Sequence, residues 1–217
     1  MKYNTIIFDL DGTLLNTLED LKDSLNYALT SHGYETRSLE EVRSFVGDGV
    51  EKLVERSLPL HSSHENIQKC LATFKEHYQQ NMQNKTRPYN GIIELLHKLK
   101  ENDYKLAIVS NKFDIAVKKL AKDYFGDLIN VAIGESATIK RKPAPDTVFK
   151  AIKELGADIN KTIFVGDSET DVQTAKNAGL PCVGVTWGFR SPEVLRHEGA
   201  DYLIDAPKEL LTIVNIN

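Results

Sequence analysis

The 217-residue chain reads as an α/β protein: a parallel β-sheet covered by helices on both faces, with a small all-helical insert after its first strand. Three observations predict this. Short apolar runs rich in Ile, Val and Phe recur along the chain, bounded by Gly, Asp, Asn or Pro. Helical patterns lie between most of them, which implies parallel strands joined by helical crossovers and buried on both faces. After the first run, about 75 residues carry helical stripes and no convincing strand. That is far longer than the roughly 2–6 residues of an ordinary strand-to-helix connection, so it reads as a separate small domain.

The elements follow in order. Strands are expected at Thr5–Leu10, Lys105–Ser110, Leu128–Ile133, Thr162–Gly166 and Cys182–Thr186, with a weaker one at Tyr202–Ile204. In the insert, Leu18, Leu21, Leu25, Ala28 and Leu29 form one helical stripe, ended by Gly33. Ser38 with Glu41 resembles a capping box, Val50, Leu53 and Val54 begin a further helix, and Ile67, Leu71, Phe74 and Tyr78 mark a fourth. In the core, Ile92, Ile93, Leu95, Leu96 and Leu99 fit one stripe. Val148, Ile152 and Leu155 fit another, with Pro145 suited to its first turn. The division expected is a core of residues 1–15 and 86–217 and an insert of residues 16–85. Tethers near Leu14–Thr17 and Asn84–Asn90 would make a hinge, on which such an insert can close over the strand ends as a lid.

Hydrophobic residues make up 41% and charged residues 27% of the chain, an ordinary globular balance. A net charge of -4 gives no electrostatic footprint for nucleic acid. No apolar run reaches the roughly 18 residues of a membrane span, so no membrane partner is expected. The N-terminal stretch is interrupted by Asp9 and Asp11 and reads as a buried strand rather than a signal peptide. Cys70 and Cys182, far apart and without metal spacing, read as reduced core thiols, and a cytoplasmic location is the default. The pattern carries no signal for oligomeric state.

Ligands of an open parallel sheet bind at the carboxyl ends of its strands. Asp9, Asp11, Gly12 and Thr13 follow the first strand, and Ser110 and Asn111 the second. Lys142 and Pro143 follow the third, and Asp167, Ser168 and Asp171 the fourth. Two carboxylates two residues apart in extended backbone share a face, and unequal environments can divide their roles between attack and proton transfer. Asp167 and Asp171 alone would suit a helix N-terminus. A second acidic cluster at a neighbouring strand end asks for a cation, and Mg²⁺ suits oxygen ligands. Lys142 is either a solvated surface residue or a point charge against phosphate.

These segments, Asp9-Leu10-Asp11-Gly12-Thr13, Ser110-Asn111, Lys142-Pro143 and Gly166-Asp167-Ser168-Glu169-Thr170-Asp171, resemble in order the four motifs of the haloacid dehalogenase superfamily. The nearest likeness is to its phosphoglycolate phosphatase branch, through Phe45-Val46-Gly47-Asp48-Gly49-Val50 and Val185-Thr186-Trp187-Gly188-Phe189. The resemblance implies a Rossmann-like three-layer core with a helical cap domain, and a small phosphorylated metabolite as substrate. It implies Asp9 as nucleophile forming an aspartyl-phosphate and Asp11 as general acid and then base. Mg²⁺ would be held by Asp9, the Asp11 carbonyl and Asp167, with Asp171 supporting the metal site. Ser110 and Asn111 would bind the phosphoryl group with Gly12 and Thr13 nearby, and Lys142 would balance charge. Asn16 departs from an Asp common in relatives, which touches hinge or cap contacts only.

In the cap, Arg43, Asp48 and Lys52 are candidates to meet the non-reacting end of a substrate, each equally readable as exposed helix charge. Lys52 is the one cap lysine to test as a phosphonate hydrolase's Schiff base. The acid at Asp11 and the metal residues argue against dehalogenase chemistry. An inorganic pyrophosphatase and a sugar-phosphate mutase use the same core. A non-catalytic binding protein is disfavoured because every catalytic position is filled. His61 and His64 read as solvated surface, and Trp187 as packing rather than the mouth of a site.

Overall fold

The computed structural model describes residues 2–216. The chain opens with β1 (Thr5–Phe8) and the short β2 (Leu15–Asn16). Four helices follow, α1 (Leu18–Ser31), α2 (Leu39–Phe45), α3 (Val50–Ser57) and α4 (His64–Asn81), then β3 (Arg87–Pro88). Helices and strands then alternate as α5 (Ile92–Glu101), β4 (Lys105–Phe113), α6 (Asp114–Phe125), β5 (Val131–Glu135) and α7 (Asp146–Leu155). The chain continues with β6 (Thr162–Gly166), α8 (Glu169–Ala178), β7 (Cys182–Val185), α9 (Pro192–Glu198), β8 (Tyr202–Ile204) and α10 (Glu209–Ile213). It separates into two compact units, Met1–Leu15 with Pro88–Asn217, and Asn16–Arg87.

In the first unit six strands form one parallel sheet in the order β5-β4-β1-β6-β7-β8. β1 lies between β4 (Thr5 opposite Lys105) and β6 (Thr5 opposite Thr162). The chain moves outward from β1 to β4 and β5, then returns past β1 to add β6, β7 and β8. The order reverses beside β1, and such a switch point opens a crevice at the strands' carboxyl ends.

Burial explains why these runs are strands. Ile7, Ala107, Val109, Ile133 and Phe164 share one core cluster with Val148 and Ala151 of α7, Val172 and Ala175 of α8, and Leu195 of α9. Alternation puts Ile6, Phe8, Leu106 and Ile108 on the opposite face, where they are equally buried. The α/β sheet with helices on both sides is therefore the fold expected.

β1 ends at Phe8 rather than Leu10 and β7 at Val185 rather than Thr186, and three further boundaries differ from expectation. Residues 126–128 form a 3-10 turn and the strand runs later, Val131–Glu135, because α6 ends at Gly126 in a positive-φ conformation. β4 extends through Ser110, Asn111 and Lys112 to Phe113, with a register shift against β5 between Val109 and Phe113. Pro145 sits at the N-cap of α7, just outside its first turn.

The helical unit has its own core, including Leu21, Leu25, Leu29, Val42, Leu53, Val54, Leu71, Phe74 and Tyr78. The capping box at α2 is present: the Glu41 N–H donates to Ser38 Oγ (3.3 Å) and the Ser38 N–H to Glu41 Oε2 (2.8 Å). Asp20, buried on α1, accepts from the backbone N–H groups of Lys85 (3.0 Å) and Thr86 (2.8 Å). These bonds tie the unit's first helix to its exit strand segment. Among the described residues no helix is long and apolar enough to cross a membrane.

Candidate active site

The carboxyl ends of β1, β4 and β6 deliver the charged residues. The ladder continues one bond beyond β1, from Asp9 N–H to Val165 O at 2.9 Å, so Asp9 leaves the sheet beside β6. Leu10 O then accepts from the Leu14 and Leu15 amides (3.1 and 3.0 Å), which folds Asp11–Thr13 into a tight turn. Gly12 has φ +92°, a conformation a side chain resists, and an added Cβ would collide with the Asp167 carboxylate. Gly188 approaches Asp167 just as closely from the other side.

At the end of β6, Ser168 caps α8 in a second capping box. Asp171 Oδ2 accepts from Ser168 Oγ (2.6 Å), Ser168 N–H (3.1 Å) and Asp167 N–H (3.2 Å). Its other oxygen, Oδ1, accepts from Lys142 Nζ at 2.6 Å. Lys142 also donates to Asp9 Oδ1 at 2.7 Å and is almost fully buried. Helix capping and site chemistry thus share one side chain. Lys142 is held by its main chain as well, since Asn111 Nδ2 donates to its carbonyl at 3.0 Å.

Asp167 is fixed by Thr13 Oγ1 on Oδ1 (2.9 Å) and by the Phe189 N–H on Oδ2 (2.8 Å). Trp187 Nε1 donates to Thr13 O at 3.0 Å, so this half-buried ring braces the Asp11–Thr13 turn from β7's exit. Asp11 meets a different cation: Lys112 Nζ donates to its Oδ1 at 2.7 Å. Ser110, buried on β4, accepts from the Lys112 N–H at 3.3 Å.

Asp9, Asp167 and Asp171 each offer a carboxylate oxygen within 4.8 Å of one another. Burial pushes the Asp9 carboxyl up to about 7; Lys142 opposes this, and the Asp171 and Asp11 charges add to it. Burial, then the Asp171 and Asp9 charges, push Asp167 well above the usual carboxylate range against its two hydrogen bonds. Burial also works against the Lys142 charge, but Asp171 and Asp9 outweigh it and raise that pKa. Once ionised, three carboxylates against one ammonium carry two formal negative charges in a buried space, the deficit that one divalent cation balances. Hard oxygen donors are also the donor set that Mg²⁺ prefers. The residues therefore fit a divalent metal.

Of the residues singled out in the sequence, Asp9, Asp11, Gly12, Thr13, Ser110, Asn111, Lys142, Asp167 and Asp171 all lie at this rim of the sheet. Arg43, Asp48 and Lys52 lie in the helical unit. There Asp48 pairs with Arg56, and Lys52 with Glu55 at 2.6 Å. Sequence alone assigns no site role to Lys112, nor to Gly188 and Phe189, which enter only through the branch likeness. The signal for Lys112 was its place directly after Ser110-Asn111. The Phe189 contact is a backbone N–H, for which the residue type carries no code.

Comparison with known proteins agrees with this geometry. Residues 6–185 match the family described as haloacid dehalogenase-like hydrolase. The phosphoglycolate phosphatase of Mesorhizobium japonicum is 36% identical over 199 residues, 89% of this chain and 87% of the relative. That of Agrobacterium fabrum is 34% identical over 207 residues, 92% of this chain and 87% of the relative. A crystal structure from Lactobacillus delbrueckii subsp. bulgaricus superposes with a TM-score of 0.93 at 34% identity, covering 99% of each chain. With the motif residues gathered at one switch point and the match spanning most of its length, the chain belongs to the haloacid dehalogenase-like hydrolase family.

Proposed function

We propose that the chain is a Mg²⁺-dependent phosphatase that hydrolyses a small organic phosphate monoester through an aspartyl-phosphate at Asp9. The observation that carries this reading is the buried Asp9 carboxylate, held at 2.7 Å by Lys142 inside the three-carboxylate cluster. The Asp9 and Asp167 carboxylates and the Asp11 carbonyl would hold the metal, with Asp171 in support. Bound there, Mg²⁺ would supply the charge that keeps the carboxylates ionised and neutralises phosphoryl oxygens.

Asp9 attacks phosphorus, its new O–P bond forming as the bond to the leaving oxygen breaks. Asp11 gives that oxygen a proton. In the second step Asp11 takes a proton from water, whose oxygen attacks phosphorus; the bond to Asp9 breaks and inorganic phosphate leaves. Lys142 keeps Asp9 aimed and offsets charge, while Ser110 and Asn111 bind the phosphoryl group from β4. The Thr13 hydroxyl serves Asp167, so any role of Thr13 and Gly12 toward phosphate falls to their backbone. Phosphoglycolate is the leading substrate, on the names of the two relatives above. Two buried thiols suit a reducing cytoplasm.

The test is hydrolysis of p-nitrophenyl phosphate with Mg²⁺, with chelator, and by Asp9→Asn, followed by kcat/KM over a panel with phosphoglycolate, pyrophosphate and sugar phosphates. The expected result is metal-dependent turnover that Asp9→Asn lowers by about 10⁴-fold or more. Undiminished turnover in that variant, or no turnover of any phosphate by the wild type, would overturn the reading.

A further inference from the structure

We propose that Lys112 is a positioning residue for Asp11: its buried ammonium, bonded to Asp11 Oδ1, fixes the carboxyl that serves the leaving oxygen. The inference rests on the phosphatase reading above. Lys142 is shared by two carboxylates, whereas Lys112 reaches Asp11 across the sheet from the neighbouring strand, 101 residues away in sequence. Its side chain is 2% exposed and that of Asp11 13%. Such a buried charge pair is geometrically stiff, because separating the two groups loses their attraction where little water can replace it.

The backbone is built to put Lys112 there. β4 runs on past Val109 with a register shift, and its extension passes over β5 at Gly134. A Cβ at Gly134 would lie 2.6 Å from Lys112 O and 2.5 Å from Asp114 Cα, so only glycine lets the two strands approach this closely. Asp114 Oδ1 then accepts from the Gly134 N–H at 2.9 Å and pins the crossing.

The chemical consequence concerns which oxygen carries the proton. An ammonium has only donors, so Oδ1 must accept from Lys112. A proton on the carboxyl therefore sits on Oδ2, and it is Oδ2–H that is given to the leaving oxygen. Without Lys112, Oδ1 loses that donor and the proton can occupy either oxygen.

The test uses leaving groups. Phosphorylation of Asp9 by an alkyl ester such as 2-phosphoglycolate needs the proton, while p-nitrophenolate departs with little help. Lys112→Met should lower kcat/KM for 2-phosphoglycolate by about 100-fold but for p-nitrophenyl phosphate by less than about fivefold. In an Asp11→Asn background the same substitution should change the alkyl rate less than about threefold, because the lysine acts through Asp11. The inhibition constant of inorganic phosphate should stay within about threefold, which a direct phosphate contact would not allow. Where Lys112→Met does not fold, Lys112→Gln carries the same comparison. Equal loss on both esters in a folded variant, or full additivity with Asp11→Asn, overturns the proposal and leaves the phosphatase reading standing. A wild type inactive on both esters overturns the two together.

Discussion

Two buried lysines stand at the same rim of the sheet, and their surroundings are balanced differently. Lys142 faces Asp9 and Asp171, with Asp167 close by, one cation against three carboxylates. Lys112 donates to Asp11, an opposite charge in the turn after β1. A cluster short of positive charge is suited to take up a cation; a neutral pair is suited to hold a side chain still. The two regions use the same residue types for different ends, and the balance of charge, not the presence of lysine, tells them apart.

The comparison breaks most visibly at Lys142. Lys142→Met leaves Asp171 fully buried without its cation and should cost about 3–5 kcal/mol in urea unfolding. A loss under about 1 kcal/mol would mean that the cluster is not charged as described. Next comes the metal. Mg²⁺ at roughly 100 times its Kd should stabilise the wild type by about 2.7 kcal/mol, seen as a raised melting temperature. Asp167→Asn should abolish that gain, whereas Asp11→Asn should keep it, since Asp11 is assigned through its carbonyl. Lys112→Met should cost less, about 1–2 kcal/mol, because Asp11, 13% exposed, can regain some water where Asp171 cannot.

A further effect is a tilt with pH. In chelator, the folded chain keeps the Asp9 proton up to about 7, while the unfolded chain releases it near 3.8. The folded state binds more protons in that window, so stability falls as pH rises through it. Mg²⁺ replaces the proton, and the gap between the Mg²⁺ and chelator melting temperatures should widen from pH 4 to 7. A constant gap would show that Asp9 does not hold the metal.

Much of this was legible because buried parallel strands are continuous apolar runs. β6 and β8 are found at the residues expected, Thr162–Gly166 and Tyr202–Ile204. The polar rim was legible because carboxylates and a lysine following apolar strands have no packing reason to be there. What escaped has physical reasons. Leu128 and Ile129 look like a strand, but Gly126 ends α6 with a 3-10 turn that consumes them. The strand expected at Lys105–Ser110 runs on through Lys112 to Phe113, because that extension depends on Gly134 in another strand. Asp20 carries no sequence signal of its role, since its partners are amides 65 and 66 residues further on. Long-range backbone partners leave no local trace.

The two oxygens of Asp171 belong to different structures, one to the start of α8 and one to Lys142. The amides of Asp167 and Ser168, which donate to that carboxylate, are thus wired to the lysine through a single rigid group. Their resonances in an NMR spectrum would act as built-in sensors, moving whenever the Lys142 ammonium shifts its allegiance between Asp9 and helix.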